Sequence, residues 1–155
     1  MKLRVVALGQ RMPAWVDAGW DDYARRMPRE FALELVPLKP EPRDRGKAVA
    51  QLLAAEALQI AAASRNACVV ALDEGGDPWT TRLFAENLAR WRDDARDVAF
   101  VIGSADGLAE SVKRAASAIV AVSALTLPHG LVRVVVAEQL YRAVSLLSGH
   151  PYHRE

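Results

Sequence analysis

The sequence holds one cysteine in 155 residues, so disulfide frameworks and cysteine-based metal sites are excluded. Cys68 lies in the apolar run ACVVALD and reads as a small buried hydrophobe rather than a nucleophile. An excess of charge is also missing: 20 lysines and arginines meet 19 aspartates and glutamates, leaving a formal net charge of +1. That balance excludes a free-standing protein that grips nucleic acid, DNA included, by bulk electrostatics, because such grip scales with the phosphates neutralised. Any nucleic-acid contact must be local. No stretch of eighteen apolar residues runs without a charge, and MKLRVVALGQRMP turns polar too soon for a secretory signal, so a cytoplasmic protein without a membrane partner is expected. GxxxxGK[ST], HExxH and a GxGxxG after the first apolar run are absent, which sets aside nucleoside triphosphates, zinc hydrolysis and a dinucleotide fold. His129, His150 and His153 are too few and too irregularly spaced for a zinc site, so no metal is expected. Ser104, Ser123 and Thr126 lack the Gly-x-Ser-x-Gly setting of a serine nucleophile.

What is present suffices for one α/β domain over residues 1–155, since 52% of the chain is hydrophobic. Lys2 to Leu8 is a short apolar strand ending at Gly9, Pro13 to Met27 has helical spacing, and Pro28 stops that helix. Phe31 to Leu38 alternates as a second strand, and KPEPRDRG follows as a charged loop. A long amphipathic helix spans Gly46 to Ala63, and the continuous run ACVVALD predicts a strand buried on both faces. DEGGDPW is turn chemistry, after which Thr80 caps a helix with Leu83, Phe84, Leu88 and Trp91 on one face. DVAFVIG is a strand, Ala109 to Ala116 a helix, SAIVAV a fifth strand and SALTLPHG a long loop. The last helix covers Leu131 to Leu147, with Leu131, Val134, Val135, Leu140, Val144 and Leu147 as its core stripe. This alternation implies a mostly parallel sheet flanked by helices. Val132 and Val136 fall outside that stripe, and a helix apolar on two sides predicts a homodimer.

In an open parallel sheet, ligands sit beyond the carboxyl ends of strands, so the loops after Leu72, Ile102 and Val122 are expected to line one cleft. The carboxylate pairs Asp73 with Glu74 and Asp106 with Glu110 read as turn capping and solvation, which argues against a hydrolase. Two cationic groups, Arg25 with Arg26 and Arg29, and Arg43 with Arg45 and Lys47, read as solvated faces, and the four tryptophans as core or interface residues.

Four separated motifs, LDEGGDPWTTRLFAENL, FVIGSADGL, SALTLPHGLVRVVVAEQLYRA and GHPYHRE, occur in one order that resembles, nearly end to end, the bacterial ribosomal RNA large-subunit methyltransferase H family of the SPOUT class. The resemblance implies a homodimer with a C-terminal trefoil knot. It also implies methyl transfer from S-adenosylmethionine to N3 of a pseudouridine in large-subunit ribosomal RNA, on the assembled ribosome. Carried across by motif, Leu72, Gly103, Ser123, Ala124, Leu125, Thr126, Leu127 and Pro128 resemble cofactor-binding residues. Where many members read Gly-Gly, this chain has Gly103 followed by Ser104, a change that touches only loop geometry. The catalytic candidates are His129 and Arg133 beside the cofactor loop, Glu138 as either a proton acceptor or a plain surface carboxylate, and Tyr152, His153 and Arg154. The last three suit stacking on a base and holding phosphate, and are expected to reach the site from a partner subunit. Two rivals stand beside this reading: a non-catalytic ribosome-associated dimeric binding protein, and a dimer whose tail merely seals the interface.

Overall fold

Alternation of side chains across each strand sends two different apolar sets to the two faces of the sheet, and helices cover both. In the computed structural model, which describes residues 1–44 and 46–154, the strands are β1 (Lys2–Leu8), β2 (Ala32–Leu38), β3 (Ala67–Pro78), β4 (Asp97–Ile102) and β5 (Ala118–Ala121). Arg45, one of the foreseen loop cations, and Glu155 lie outside the described residues. The helices are α1 (Ala14–Ala24), α2 (Val49–Ala63), α3 (Thr81–Asp93), α4 (Glu110–Ala115) and α5 (His129–Ser148). The sheet order is β2-β1-β4-β3-β5, and every pairing is parallel.

Leu3, Val5, Val70, Leu72, Val98 and Phe100 face one way and meet Trp20 of α1, Phe84, Leu88 and Trp91 of α3, and Leu140 of α5. The intervening Val6, Leu8, Ala71, Ala99 and Val101 face the other way and meet Ile60 of α2 and Val112 of α4. The inner strand β4, the Val5–Leu8 part of β1 and the first half of β3 therefore read as continuous apolar runs because both of their faces are buried, whereas edge strand β2 is only half-buried. Adjacent β3 and β4 lead into α3 and α4 on opposite faces of the sheet, which opens a crevice at their carboxyl ends.

Local chemistry explains most element ends. Pro13 and Pro128 stand at the N-caps of α1 and α5, and the Thr80 hydroxyl accepts from the Leu83 N–H at 3.1 Å to cap α3. Pro128 occupies the N-cap position with its φ held at −65°, and α5 starts at His129, two residues before the predicted start.

The structure corrects the sequence reading in four places. The DEGGD turn is an excursion within β3: Leu72 and Asp77 both register with Val120, so the strand leaves β5 and rejoins it. Gly76 makes the return possible, since a Cβ there would lie 2.6 Å from the Val120 backbone nitrogen. The buried face of α5 is rotated from the predicted stripe and consists of Arg133, Val136, Ala137, Leu140, Ala143, Val144 and Ser145. Leu131, Val134, Val135 and Leu147 are only half-buried, and Val136, assigned to a second surface, is core. A buried arginine broke the apolar pattern and hid the true face. Leu83 is exposed rather than packed with Phe84 and Leu88. Finally, Arg43 is exposed but is more than a solvated cation, because it pairs with the buried Glu56. Of the tryptophans, Trp20 and Trp91 are core, while Trp15 is 57% exposed.

Candidate active site

A cleft of about 740 Å³ lies at the carboxyl ends of β3, β4 and β5. All three loops singled out from the sequence contribute to it. Leu72, Gly103, Ser123, Leu125, Thr126 and Leu127 line the cleft, whereas Ala124 and Pro128 belong to the same loop without lining it. Ile102, Val122 and Val132 add apolar wall, and Asp73, Glu74, Asp106 and Lys113 add charge. Asp73 behaves as turn chemistry predicts, accepting from the Gly75 N–H at 2.9 Å, and it also faces the Lys113 ammonium at 3.6 Å. Sequence reasoning left out Lys113. It lies on α4, and only the fold brings it to the β3 loop.

Gly103 stands where β4 turns into the wall of the cleft. An added Cβ would lie 2.5 Å from the Gly107 carbonyl oxygen, so the turn from 103 to 107 closes on itself only because residue 103 has no side chain.

His129 lines the cleft and bridges α5 to the turn after β4. Its Nδ1 lies 3.1 Å from the Gly103 carbonyl oxygen, and its Nε2 accepts from Arg133 Nε at 3.0 Å. An arginine can only donate, so the imidazole proton resides on Nδ1 and points at Gly103. Burial, then the Arg133 charge, push the His129 pKa below its ordinary value, with the Gly103 contact acting in the opposite sense. His129 is therefore neutral near pH 7, with both ring nitrogens engaged. Arg133 is 1% exposed and also donates through Nη2 to the Gly9 carbonyl. Burial lowers its pKa and nearby Asp17 opposes that shift. Together His129 and Arg133 tie the loop after β1 to the loop after β4. This geometry suits holding the cleft walls better than accepting a proton.

Glu138, Tyr152, His153 and Arg154 gather elsewhere. A single 3-10 turn, Pro151–His153, folds the tail onto α5 of its own chain. The Tyr152 ring packs against Tyr141 at 4.7 Å, with the Arg142 guanidinium 4.8 Å from its centroid. The Tyr152 hydroxyl donates to Glu138 Oε1 at 3.0 Å, where Arg142 Nε also donates at 2.8 Å. Glu138 Oε2 accepts from Gln139 at 2.7 Å. With three neighbouring groups donating to it, Glu138 is placed to anchor the tail. Burial first, then contacts with the Tyr23 hydroxyl and the Glu138 carboxylate, raise the Tyr152 pKa, so the phenol stays neutral. His153 and Arg154 border a second groove of about 660 Å³ with Thr81, Gln139 and Arg142. None of these tail residues lines the cleft of its own chain.

Among the described residues, no group of three or more histidine, cysteine or acidic side chains could hold a metal ion, and no helix is long and apolar enough to cross a membrane.

Comparison with known proteins places this geometry in context. Residues 1–153 match the family model described as "Predicted SPOUT methyltransferase". A protein of Nitrosospira multiformis named "Ribosomal RNA large subunit methyltransferase H" is 54% identical over 155 residues, covering 99% of both chains. A protein of the same name from Burkholderia mallei shows the same identity and coverage. Among solved structures, a "putative methylase family protein" from Neisseria gonorrhoeae superposes with a TM-score of 0.56 over 90% of this chain and 81% of that one. At 15% identity, that likeness speaks for the fold alone.

Proposed function

Because this chain belongs to the SPOUT methyltransferase family, we propose that it transfers a methyl group from S-adenosylmethionine to N3 of a pseudouridine in large-subunit ribosomal RNA. Large-subunit ribosomal RNA as substrate follows the naming of relatives 54% identical over the full length, the N3 position is what the motif resemblance implies, and the assembled ribosome is taken as the substrate because a net charge of +1 fits a site completed by ribosomal surface. The observation that carries the reading is the convergence of the β3, β4 and SALTLP loops on one cleft of about 740 Å³.

The residues present fit the methyl donor. Leu72, Ile102, Val122 and Leu127 offer apolar wall for a purine, and Gly103 opens the backbone to close approach. Ser123 and Thr126 supply hydroxyls, while Asp73 and Lys113 offer opposite charges to the ammonium and carboxylate of an amino-acid moiety. Bound there, S-adenosylmethionine supplies a methyl group already activated by its sulfonium. The N3 proton that the methyl group replaces passes to water, and the chain's own task is then position. The His129 and Arg133 pair holds the Gly103 and Gly9 loops in one geometry, so that the donor is presented in line with the acceptor nitrogen. Proximity and orientation of this kind supply several kcal/mol of the barrier reduction.

Tyr152, His153 and Arg154 serve the RNA, by stacking and phosphate contact, from a second copy of the chain. Their docking on their own α5, away from the cleft, supports a tail that acts across a dimer. The half-buried Leu131 and Val135, with exposed Trp15 on neighbouring α1, offer the apolar surface for that dimer. The trefoil threading typical of the family is part of the same proposal. The test is mass spectrometry of ribosomal RNA from cells with and without this protein, together with methylation of purified ribosomes by the pure protein. A methylated pseudouridine present only with the protein is expected. An unchanged nucleotide profile, with no methyl transfer in vitro, would refute the assignment and favour a non-catalytic binding protein.

A further inference from the structure

Glu56 lies in the middle of α2, far in sequence from every cleft residue, yet it is only 2% exposed and its carboxylate points to the cleft wall. Glu56 Oε2 accepts from the Ser104 hydroxyl at 2.7 Å. Its Oε1 accepts from Arg43 Nη1 and from the Glu41 backbone N–H, the latter at 3.1 Å. Arg43 closes the figure, with Nη2 2.7 Å from Ser104 Oγ and Nε donating to Asp106 Oδ2 at 3.1 Å. A hydroxyl has one proton, so Ser104 donates to Glu56 and accepts from Arg43. The Arg43 pKa is raised, first by its hydrogen bond to Glu56, in keeping with a paired cation.

Three chain segments meet here: the loop between β2 and α2, the buried face of α2, and the turn that follows β4. Ser104 and Asp106 belong to the turn that lines the cleft, and Gly103 begins it. We propose that Arg43, Glu56 and Ser104 form a clasp that fixes the Gly103–Gly107 wall, making Arg43 and Glu56 positioning residues for the cofactor site although neither touches the cleft. The inference rests on the cofactor reading above. The physical reason is charge balance. A carboxyl group with almost no access to water must be satisfied by protein donors, and the donors here come from the two segments that must be aligned. The Ser104 hydroxyl is what extends the ion pair into the wall.

The experiment is calorimetric titration of the full chain with S-adenosylmethionine. Ser104→Ala removes one hydroxyl and leaves Arg43 paired directly with Glu56, so the fold is retained. The expected result is an affinity about five- to ten-fold weaker, consistent with loss of one charge-assisted hydrogen bond from a structural support. Ser104→Thr keeps the hydroxyl and should restore affinity to within two-fold on the order expected for a retained bond. Combining Ser104→Ala with Arg43→Gln should cost no more than Arg43→Gln alone, because both changes open the same clasp. Unchanged affinity in Ser104→Ala, equal loss in Ser104→Thr, or losses that multiply in the double variant would overturn the clasp. Failure of the unmodified protein to bind the cofactor would instead overturn the cofactor reading.

Discussion

Gly103→Ala tests the site with a single added methyl group. The new Cβ would meet the Gly107 carbonyl oxygen at 2.5 Å and its carbonyl carbon at 2.6 Å, against ordinary contacts of about 3.4 to 4 Å. The opposing atoms are backbone, so no side-chain rotation relieves the clash, and the turn must shift by roughly 1 Å. Overpacking of this kind costs about 1–3 kcal/mol, which a domain of this size tolerates when the displaced segment is a rim loop. The β4 strand behind it is held on both sides by β1 and β3, so secondary structure should survive. Displacing the wall should affect binding far more, because misplacement by about 1 Å can cost on the order of 100-fold where geometry sets the chemistry. We therefore expect a native circular dichroism spectrum, a thermal midpoint a few degrees lower, and S-adenosylmethionine affinity reduced by about 10- to 100-fold. Gly103→Val should abolish detectable binding. An alanine variant that binds within two-fold of the unmodified protein would refute the reasoning from backbone closure.

Deleting Pro151 to Glu155 should leave cofactor affinity within a few-fold, on the order expected of a non-contacting segment, but remove methylation of ribosomes. Full activity of the truncated chain would return the tail to a passive role, and joint loss of cofactor binding would make it structural. Light scattering at micromolar concentration should give twice the 16.9 kDa of one chain, and a mass near that of one chain would defeat the dimer. The pKa of His129 is lowered in the folded protein, so the unfolded chain takes up a proton first as pH falls below the ordinary histidine value of 6.5. Its contribution is thus fully present above that pH and is lost as pH falls toward the folded value. Denaturant unfolding of the unmodified protein should show a steeper loss of stability between pH 7 and 5.5 than His129→Gln, and identical slopes would show that His129 is not held neutral.

Strand positions, the two-faced burial of the sheet and the carboxyl-end cleft were legible in the chain because they arise from local rules. Alternation every second residue sorts Leu3, Val5 and Val98 from Val6, Ala99 and Val101, and prolines at 13, 28 and 128 mark where helices begin or stop. Motif order likewise brought Leu72, Gly103 and the SALTLP loop to one place, since parallel strands align their carboxyl ends. What local rules do not contain is which polar side chain finds a buried partner. Arg133 spoils the apolar stripe of α5 until Gly9, 124 residues away, supplies its acceptor. Arg43 reads as one of a solvated group until the buried Glu56 and Ser104, the latter 61 residues distant, bond to it. The second registration of β3 on Val120 depends in the same way on a neighbour made later in the chain. Burial of a charge is favourable only when distant donors and acceptors converge on it, and that convergence is a property of the tertiary fold.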